Sequence, residues 1–359
     1  MKIGIIGAGQ LGRILALAGY PLGLRFAFVD QNEDSPGGQV GDMVIGSFDD
    51  AAALDRLADI ADVITFDVEN VPVAAVRDIA ARRPYLPPVA ALDAAQDRLN
   101  EKTLFNELGI PTPRFVAVDD RAGLDAAVAD LGLPAVLKTR RLGYDGRGQA
   151  FLRQPEDLDA AWARFAGHPL ILESFVPFER EVSVIGVRSV AGEFRCYPLS
   201  ENVHEDGILR YSRAPYDDPA LQAEAERHVA EIMSRLDYAG VLTVEFFVED
   251  GRLLANEMAP RVHNSGHWTI EGATTSQFEN HLRAILGLPL GETKALGHAG
   301  MVNFLGHMPA LAEVLAVPGA HLHDYGKDPR PKRKLGHCTV VRDSAAERGS
   351  ALERILGLA

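Results

Sequence analysis

The sequence predicts an α/β protein of more than one unit, and three observations carry that reading. The first is an opening of strand, glycine turn, helix, strand and acid across residues 2–30. The second is a short apolar strand ending in Lys138 that runs into a loop holding Gly143, Gly146 and Gly148. The third is a pair of glutamates, Glu245 and Glu257, in two apolar segments on either side of Asp250-Gly251. At 359 residues the chain has room for two or three domains with ample buried core.

Lys2 to Ile6 reads as the first strand, followed by Gly7-Ala-Gly9-Gln-Leu-Gly12 and a helix that stops near Gly19. Arg25 to Val29 is a second strand ending at Asp30, and Val63 to Phe66 a third. This is the dinucleotide-binding fingerprint with its spacing, so a nicotinamide dehydrogenase is a serious rival reading. The same glycines serve equally well as a tight turn that lets a helix pack closely on a sheet, or as a helix N-terminus holding some other phosphate. A single helix is predicted from Val89 to Leu108, with Gly109 as its cap and Pro111 beyond. Arg98 and Lys102 lie one turn apart on one face of it, the usual pattern of two solvated charges.

Pro111-Thr-Pro113 reads as a hinge into a smaller α/β unit, roughly residues 114–175. It contains the Ala135 to Lys138 strand and the loop from Gly143 through Tyr144, Asp145, Gly146, Arg147 and Gly148 to Gln149. A lysine at a strand end beside a glycine loop can set an ammonium and several N–H groups around phosphate oxygens. The Gly-Lys-Ser/Thr ending of a P-loop is missing, and a glycine loop alone is equally a flexible basic tip. The stretch Leu170-Ile-Leu-Glu173-Ser-Phe-Val176 holds another apolar strand ending in an acid, Glu173, and Glu181 to Val187 is a strand of the larger unit.

Thr243 to Glu249 and Leu253 to Ala259 alternate as a hairpin. A three-residue loop, with Gly251 or Arg252 left-handed, places Val248 opposite Leu254, Val244 opposite Met258 and Glu245 opposite Glu257. A two-residue loop would put the carboxylates on opposite faces. The longer loop is expected, because paired carboxylates repel unless a cation bridges them, and such hard oxygens suit magnesium carrying substrate phosphates. The alternative is two solvated edge charges. Ser276 to Glu279 reads as a capping box opening a helix that ends at Gly287, and short strands follow Gly300.

Composition is that of an ordinary globular protein, 47% hydrophobic and 24% charged. The net charge of −14 argues against a non-specific nucleic-acid binder and against affinity for anionic membranes. Cys196 and Cys338 have no CxxC spacing, so neither a disulfide framework nor a zinc site is suggested. No apolar run approaches the ~18 residues a membrane span needs. Five glycines by Gly19 break the core an export signal requires, and a cytoplasmic enzyme is expected.

The lysine strand, the glycine loop, the Glu173 strand and the glutamate hairpin, in this order, resemble the ATP-grasp superfamily. Within it the chain resembles the 5-(carboxyamino)imidazole ribonucleotide synthases of purine biosynthesis. The stretches that carry this are Gly4 to Gly12, Gly143 to Gln149, Asn256-Glu-Met-Ala-Pro-Arg-Val-His-Asn-Ser-Gly-His267 and Arg333-Lys-Leu-Gly-His337. The resemblance implies an ATP-grasp fold with an N-terminal Rossmann-like domain at 1–98, an ATP-grasp domain at 99–300 with a lid at 114–175, and a small β-rich C-terminal domain at 301–359. It also implies a homodimer.

For ATP it implies contacts from Arg98, Lys138, Gly143 to Gln149, Glu173, Ser174, Phe175, Val176, Glu181, His204, Asn256 and Glu257, with Val176 at the adenine. Magnesium would rest on Glu245 and Glu257. For the ribonucleotide it points to Arg333 and Lys334 on the phosphate, helped by Gly9, Gln10 and Leu11. Glu69 and Asn70 would meet the ribose, and Asn264, Ser265 and His267 would lie near the transferring group. Lys332 departs from the small residue, often glycine, that the family pattern leads one to expect, which leaves open the cation that grips the phosphate. The reaction implied is ATP-dependent carboxylation of aminoimidazole ribonucleotide by bicarbonate, with Lys138, Tyr144, Asp145 and Arg261 as candidate catalytic residues. Within the superfamily, formate-dependent glycinamide ribonucleotide transformylases and biotin carboxylases keep the ATP chemistry with another acid or acceptor.

Overall fold

The computed structural model describes residues 1–143 and 148–359. The N-terminal part is a four-stranded parallel sheet in the order Asp42–Ile45, Arg25–Asp30, Lys2–Ile6, Val63–Phe66. Ile3, Ile5, Phe28 and Phe66 are fully buried in it, as the near-continuous apolar runs of a two-face-covered parallel sheet require. The first strand has the second on one side and the fourth on the other, so strand order reverses at its carboxyl end, where such sheets open a ligand crevice. Gly7 to Gly9, Asp30 and Asp67 all sit at that end.

The single helix predicted over Val89 to Leu108 is two, Val89–Ala95 and Arg98–Glu107. Asp97 breaks it: its side chain caps the second helix by accepting the Leu99 N–H at 3.0 Å. It also accepts Arg140 at 2.9 and 2.8 Å and Arg141 at 3.1 Å, tying the helix start to the end of the Lys138 strand. A helix continuing through Asp97 would lose all four bonds.

The middle unit is an antiparallel sheet ordered Phe115–Val118, Leu170–Ser174, Ala135–Thr139, Gln149–Leu152. Helices Arg121–Leu131 and Asp157–Phe165 close its core around Leu124, Leu137, Leu158 and Leu172. The remainder centres on a nine-stranded antiparallel sheet running from Arg252–Ala259 through Gly240–Glu249 and Arg180–Arg188 to the strands of the tail. His298–Leu305 pairs with Ile208–Ala214, so the tail strands extend this sheet. Among the described residues no helix is long and apolar enough to cross a membrane.

The hairpin corrects one expectation. Glu249 pairs with Arg252 and Val248 with Leu253, so the loop has two residues, Asp250 and Gly251, with φ of 49° and 70°. Two consecutive positive φ angles are those of a type I′ turn, and Asp-Gly is its preferred sequence. Glu245 still faces Glu257, because the register shifts between Glu245 and Phe246 and leaves Asn256 as an extra residue. The pleat argument therefore holds strand by strand, and a β-bulge supplies the residue that was assigned to the loop.

Candidate active site

A cavity of about 640 Å³ opens where the three sheets meet. Arg98 and Arg140 line one side of it, and Lys138, Lys102 and Glu173 are buried residues off the lining that connect to Arg98 and the hairpin. Arg98 and Lys102, which sequence alone reads as solvated, turn inward: the Lys102 side chain is fully buried. Lys138 donates to Glu173 Oε2 at 2.9 Å, Lys102 lies 3.3 Å from the same oxygen and 3.1 Å from the Asn256 carbonyl, and Arg98 donates to Glu257 at 3.0 Å. Burial would raise the Glu173 pKa, but Lys102, Lys138 and Arg98 bring it down to about 2. Lys138 is lowered by burial first, with Arg98 and Lys102 acting in the same direction against the pull of Glu173. Arg98, Lys102 and Lys138 thus gather against Glu173, Glu257 and Glu101, a concentration of buried charge of the kind that can receive a polyanion.

The Glu173 strand continues into Ser174, Phe175 and Val176. Ser174 and Phe175 give their N–H groups to the carbonyls of Arg114 and Pro134, and Val176, where the adenine contact is expected, is buried. Gly143 lines the cavity; Gly148 has φ +75° and its carbonyl accepts the Thr139 N–H, and Gln149 pairs with Lys138. Tyr144, Asp145, Gly146 and Arg147 lie outside the described residues.

The facing wall is acidic. Glu245 and Glu257 stand opposite one another, and burial, followed by the charges of Glu257 and Glu181 against that of His204, lifts Glu245 to about 7. Glu257, which burial alone would raise, is held below the usual carboxylate range by Arg98. His204 lies 3.1 Å from Glu181. Burial would lower its pKa, but Glu181, Glu245 and Glu257 lift it to about 9. Beside the pair, the buried Oδ1 of Asn256 has no hydrogen-bond partner, a further hard oxygen at the bulge. Two paired carboxylates and an orphaned amide oxygen fit a magnesium ion that keeps part of its shell for phosphates and water.

At the far end of the cavity lie Gln10, Leu11, Glu69, Asn70, Arg261, Asn264, Arg333 and Lys334, as expected. Glu69 sits 3.1 Å from Arg261, and burial raises its pKa against that guanidinium. Lys332 has φ +64°, the left-handed region where glycine is favoured, which is the physical sense of the family's small residue there. Its ammonium pairs with Asp206 at 3.0 Å in an exposed ion pair. Ser265 and His267 are not on the cavity wall: both are fully buried behind it, with His267 Nδ1 3.0 Å from the Asn264 amide.

Sequence reasoning missed several lining residues, His263, Lys327, Glu101 and Asp67 among them. His263 is 3.7 Å from Glu245 and held neutral by burial, then by Arg261 and Lys334; it sat inside the Asn256 to His267 stretch without an assigned role. Lys327 contacts Gln10. Glu101 is pushed up to about 8 by burial, then by Glu257, and accepts the Met258 N–H at 2.6 Å. Asp67 accepts the Gly12 N–H at 3.0 Å, and a Cβ on Gly7 would come within 1.8 Å of its Oδ1. The chain's own carboxylate thus occupies the helix N-terminus that a dinucleotide would need, and burial lifts its pKa to about 6.

Comparison with known proteins assigns each part. Residues 1–96 match the ribonucleotide synthetase preATP-grasp domain, 103–278 the ATP-grasp domain, and 299–350 the phosphoribosylaminoimidazole carboxylase C-terminal domain. The chain is 53% identical over 355 residues to the N5-carboxyaminoimidazole ribonucleotide synthase of Pseudomonas aeruginosa, covering 99% of this chain and 98% of that one. The Bacillus subtilis enzyme of that name is 41% identical, with 96% and 92% covered. The crystal structure of the Thermus thermophilus synthetase superposes with a TM-score of 0.96 at 54% identity, over 99% of this chain and 98% of that one. The Aspergillus clavatus synthase, solved with ADP and 5-aminoimidazole ribonucleotide, gives 0.94 at 31% identity over 99% and 98%. The chain belongs to the N5-carboxyaminoimidazole ribonucleotide synthase family of ATP-grasp ligases.

Proposed function

We propose that this chain joins bicarbonate to the exocyclic amine of 5-aminoimidazole ribonucleotide at the expense of ATP, releasing ADP and phosphate, as a cytoplasmic step of purine biosynthesis. The observation that carries this is one cavity lined by Arg98 and Arg140, with Lys138 and Lys102 buried near them, by the Glu245 and Glu257 pair, and by a cationic loop at its far end. The first two suit the polyphosphate of ATP, and the loop suits the ribonucleotide phosphate. A nicotinamide cofactor fits this end less well, because Asp67 takes the Gly12 N–H of the glycine turn.

Arg98, Lys138 and the Gly143 to Gln149 loop would hold the β- and γ-phosphates, with Glu173 to Val176, Glu181, His204 and Asn256 completing the nucleotide site. Glu245 and Glu257 would hold magnesium, which neutralises phosphate charge when bound. Arg333 and Lys334, with Gly9, Gln10 and Leu11, would bind the ribonucleotide phosphate, and Glu69 and Asn70 its ribose. Bicarbonate is a poor electrophile because its leaving group would be hydroxide. Its oxygen attacks the γ-phosphorus, the bond to ADP breaks, and carboxyphosphate results. The amine then forms the N–C bond as phosphate departs, either directly or after release of carbon dioxide. Protein groups act by positioning and by offsetting charge. Arg261, Lys138, Tyr144 and Asp145 would take that role at the transferring group, and Asn264, which lines the cavity, would lie near it. Ser265 and His267 support that wall from behind. A homodimer is the assembly proposed.

Bicarbonate labelled with ¹⁸O tests this. One label should appear in the released phosphate, in step with turnover and only with the ribonucleotide present. Unlabelled phosphate from a turning-over enzyme would rule out the carboxyphosphate route.

A further inference from the structure

His263 reaches the cavity from a short turn that its own side chain caps, Nδ1 accepting the Ser265 N–H at 3.3 Å. The Ser265 hydroxyl lies 2.9 Å from the same nitrogen. Behind it runs a buried polar chain through the sheet: Ser183 Oγ to Ser265 Oγ at 2.9 Å, Asn202 Nδ2 to Ser183 Oγ at 2.9 Å, and Ser212 Oγ to Asn202 Oδ1 at 2.8 Å. All four residues are 0–3% exposed. The Gln277 side chain clamps the histidine backbone, accepting its N–H at 3.0 Å and donating to its carbonyl at 2.6 Å.

The chain has a direction. An amide NH₂ only donates, so Ser183 Oγ accepts from Asn202 and has one proton left, for Ser265. Ser265 Oγ, having accepted that proton, has its own left for His263 Nδ1. The Ser265 backbone N–H points the same way and cannot reverse. Nδ1 is therefore an acceptor from two donors, which leaves the ring's proton on Nε2, the nitrogen 3.7 Å from Glu245.

We propose that Ser183, Asn202 and Ser265 form a one-way donor relay that fixes His263 as its Nε2–H tautomer, so that it presents a neutral donor to the reaction cavity. These three are positioning residues, and their effect on turnover rests on the function proposed above. The donor would meet an oxygen of the acid substrate or of the transferring carboxyl group. His263 cannot take the amine's proton at Nε2 unless the relay first reverses, and the Ser265 backbone N–H, which can only donate to Nδ1, opposes that reversal. Such fixing of one imidazole nitrogen by the bond the other makes is a general way of choosing the reactive atom.

The test needs no turnover. In resting protein labelled with ¹⁵N-histidine, the His263 signals are identified among the eleven histidines by their loss in His263→Gln. They should show Nδ1 unprotonated and Nε2 protonated. A proton on Nδ1 in the wild-type protein overturns the proposal. Ser183→Ala interrupts the relay without adding charge, and Asn202→Asp offers an acceptor where the amide donated. Both should admit the Nδ1–H tautomer and lower kcat about tenfold, with KM for ATP unchanged. Wild-type tautomer and kcat in Ser183→Ala would refute the relay even if Asn202→Asp fails to fold. A correct tautomer in a protein without carboxylase activity would leave this inference standing and sink the functional one.

Discussion

Glu173 is the one carboxylate shared by Lys138 and Lys102, and its depressed pKa makes it a stability element with a defined pH window. A carboxyl lowered from its ordinary 4.5 to about 2 on folding contributes fully above 4.5, and that contribution is lost as pH falls toward 2. Glu173→Gln should therefore lose about 3 kcal/mol at neutral pH, as breaking a buried pair does. The gap between variant and wild type should close below pH 4.5, which urea titrations at several pH values would read. A gap independent of pH would contradict the ion-pair account. Glu257→Gln keeps an oxygen for Arg98, so it should leave the unfolding midpoint near wild type while cutting ATP turnover about 100-fold or more. Full activity there would remove the magnesium assignment. Arg333→Ala should raise KM for the ribonucleotide about tenfold or more. Lys332→Ala should leave it unchanged, because Lys332 already pairs with Asp206. The charged residues legible in the sequence were those with a pattern around them: a lysine at a strand end, or glutamates in a period-two run. Asp67 and Glu101 carry no local signal. Their roles arise from long-range contacts, Asp67 with Gly12 and Glu101 with Met258.

The glutamate hairpin shows what an element inherits from pleat and what it takes from turn chemistry. Period-two alternation correctly set Glu245 against Glu257, since a slip of one residue would have turned one of them to the other face. The loop length was misread because an Asp-Gly turn and a bulge at Asn256 produce the same pairing beyond the bulge as a three-residue loop. Deleting Asn256 removes the extra residue but leaves Glu257 next after Ala255 and still opposite Glu245, so the carboxylate pair and part of the ATP turnover should survive, and turnover as low as in Glu257→Gln would show that the bulge itself shapes the site. Gly251 offers a contrasting control. A Cβ there meets nothing within 4 Å, but φ is +70°, so Gly251→Ala should cost about 1 kcal/mol in conformational strain with kcat unchanged. The break at Asp97 was hidden for a related reason. Helix periodicity runs on either side, while the Arg140 and Arg141 bonds that make Asp97 a cap come from more than forty residues away.

Across the whole molecule, three sheets meet at a cavity that none of them encloses alone. The first strand, the lysine strand and the glutamate hairpin were legible because each has its own repeat. Their meeting was legible only through the family resemblance, since no local pattern encodes which walls face each other. A net charge of −14 surrounds a site that must bind two phosphorylated substrates, so the local cations act against the overall field. Screening over about 8 Å at physiological salt confines that opposition to short range. The most direct test of the central claim is ADP release by the purified protein with ATP and magnesium, adding bicarbonate and aminoimidazole ribonucleotide separately and together. The account predicts turnover that requires the ribonucleotide and rises with bicarbonate. ADP release that stays flat in every mixture would contradict it.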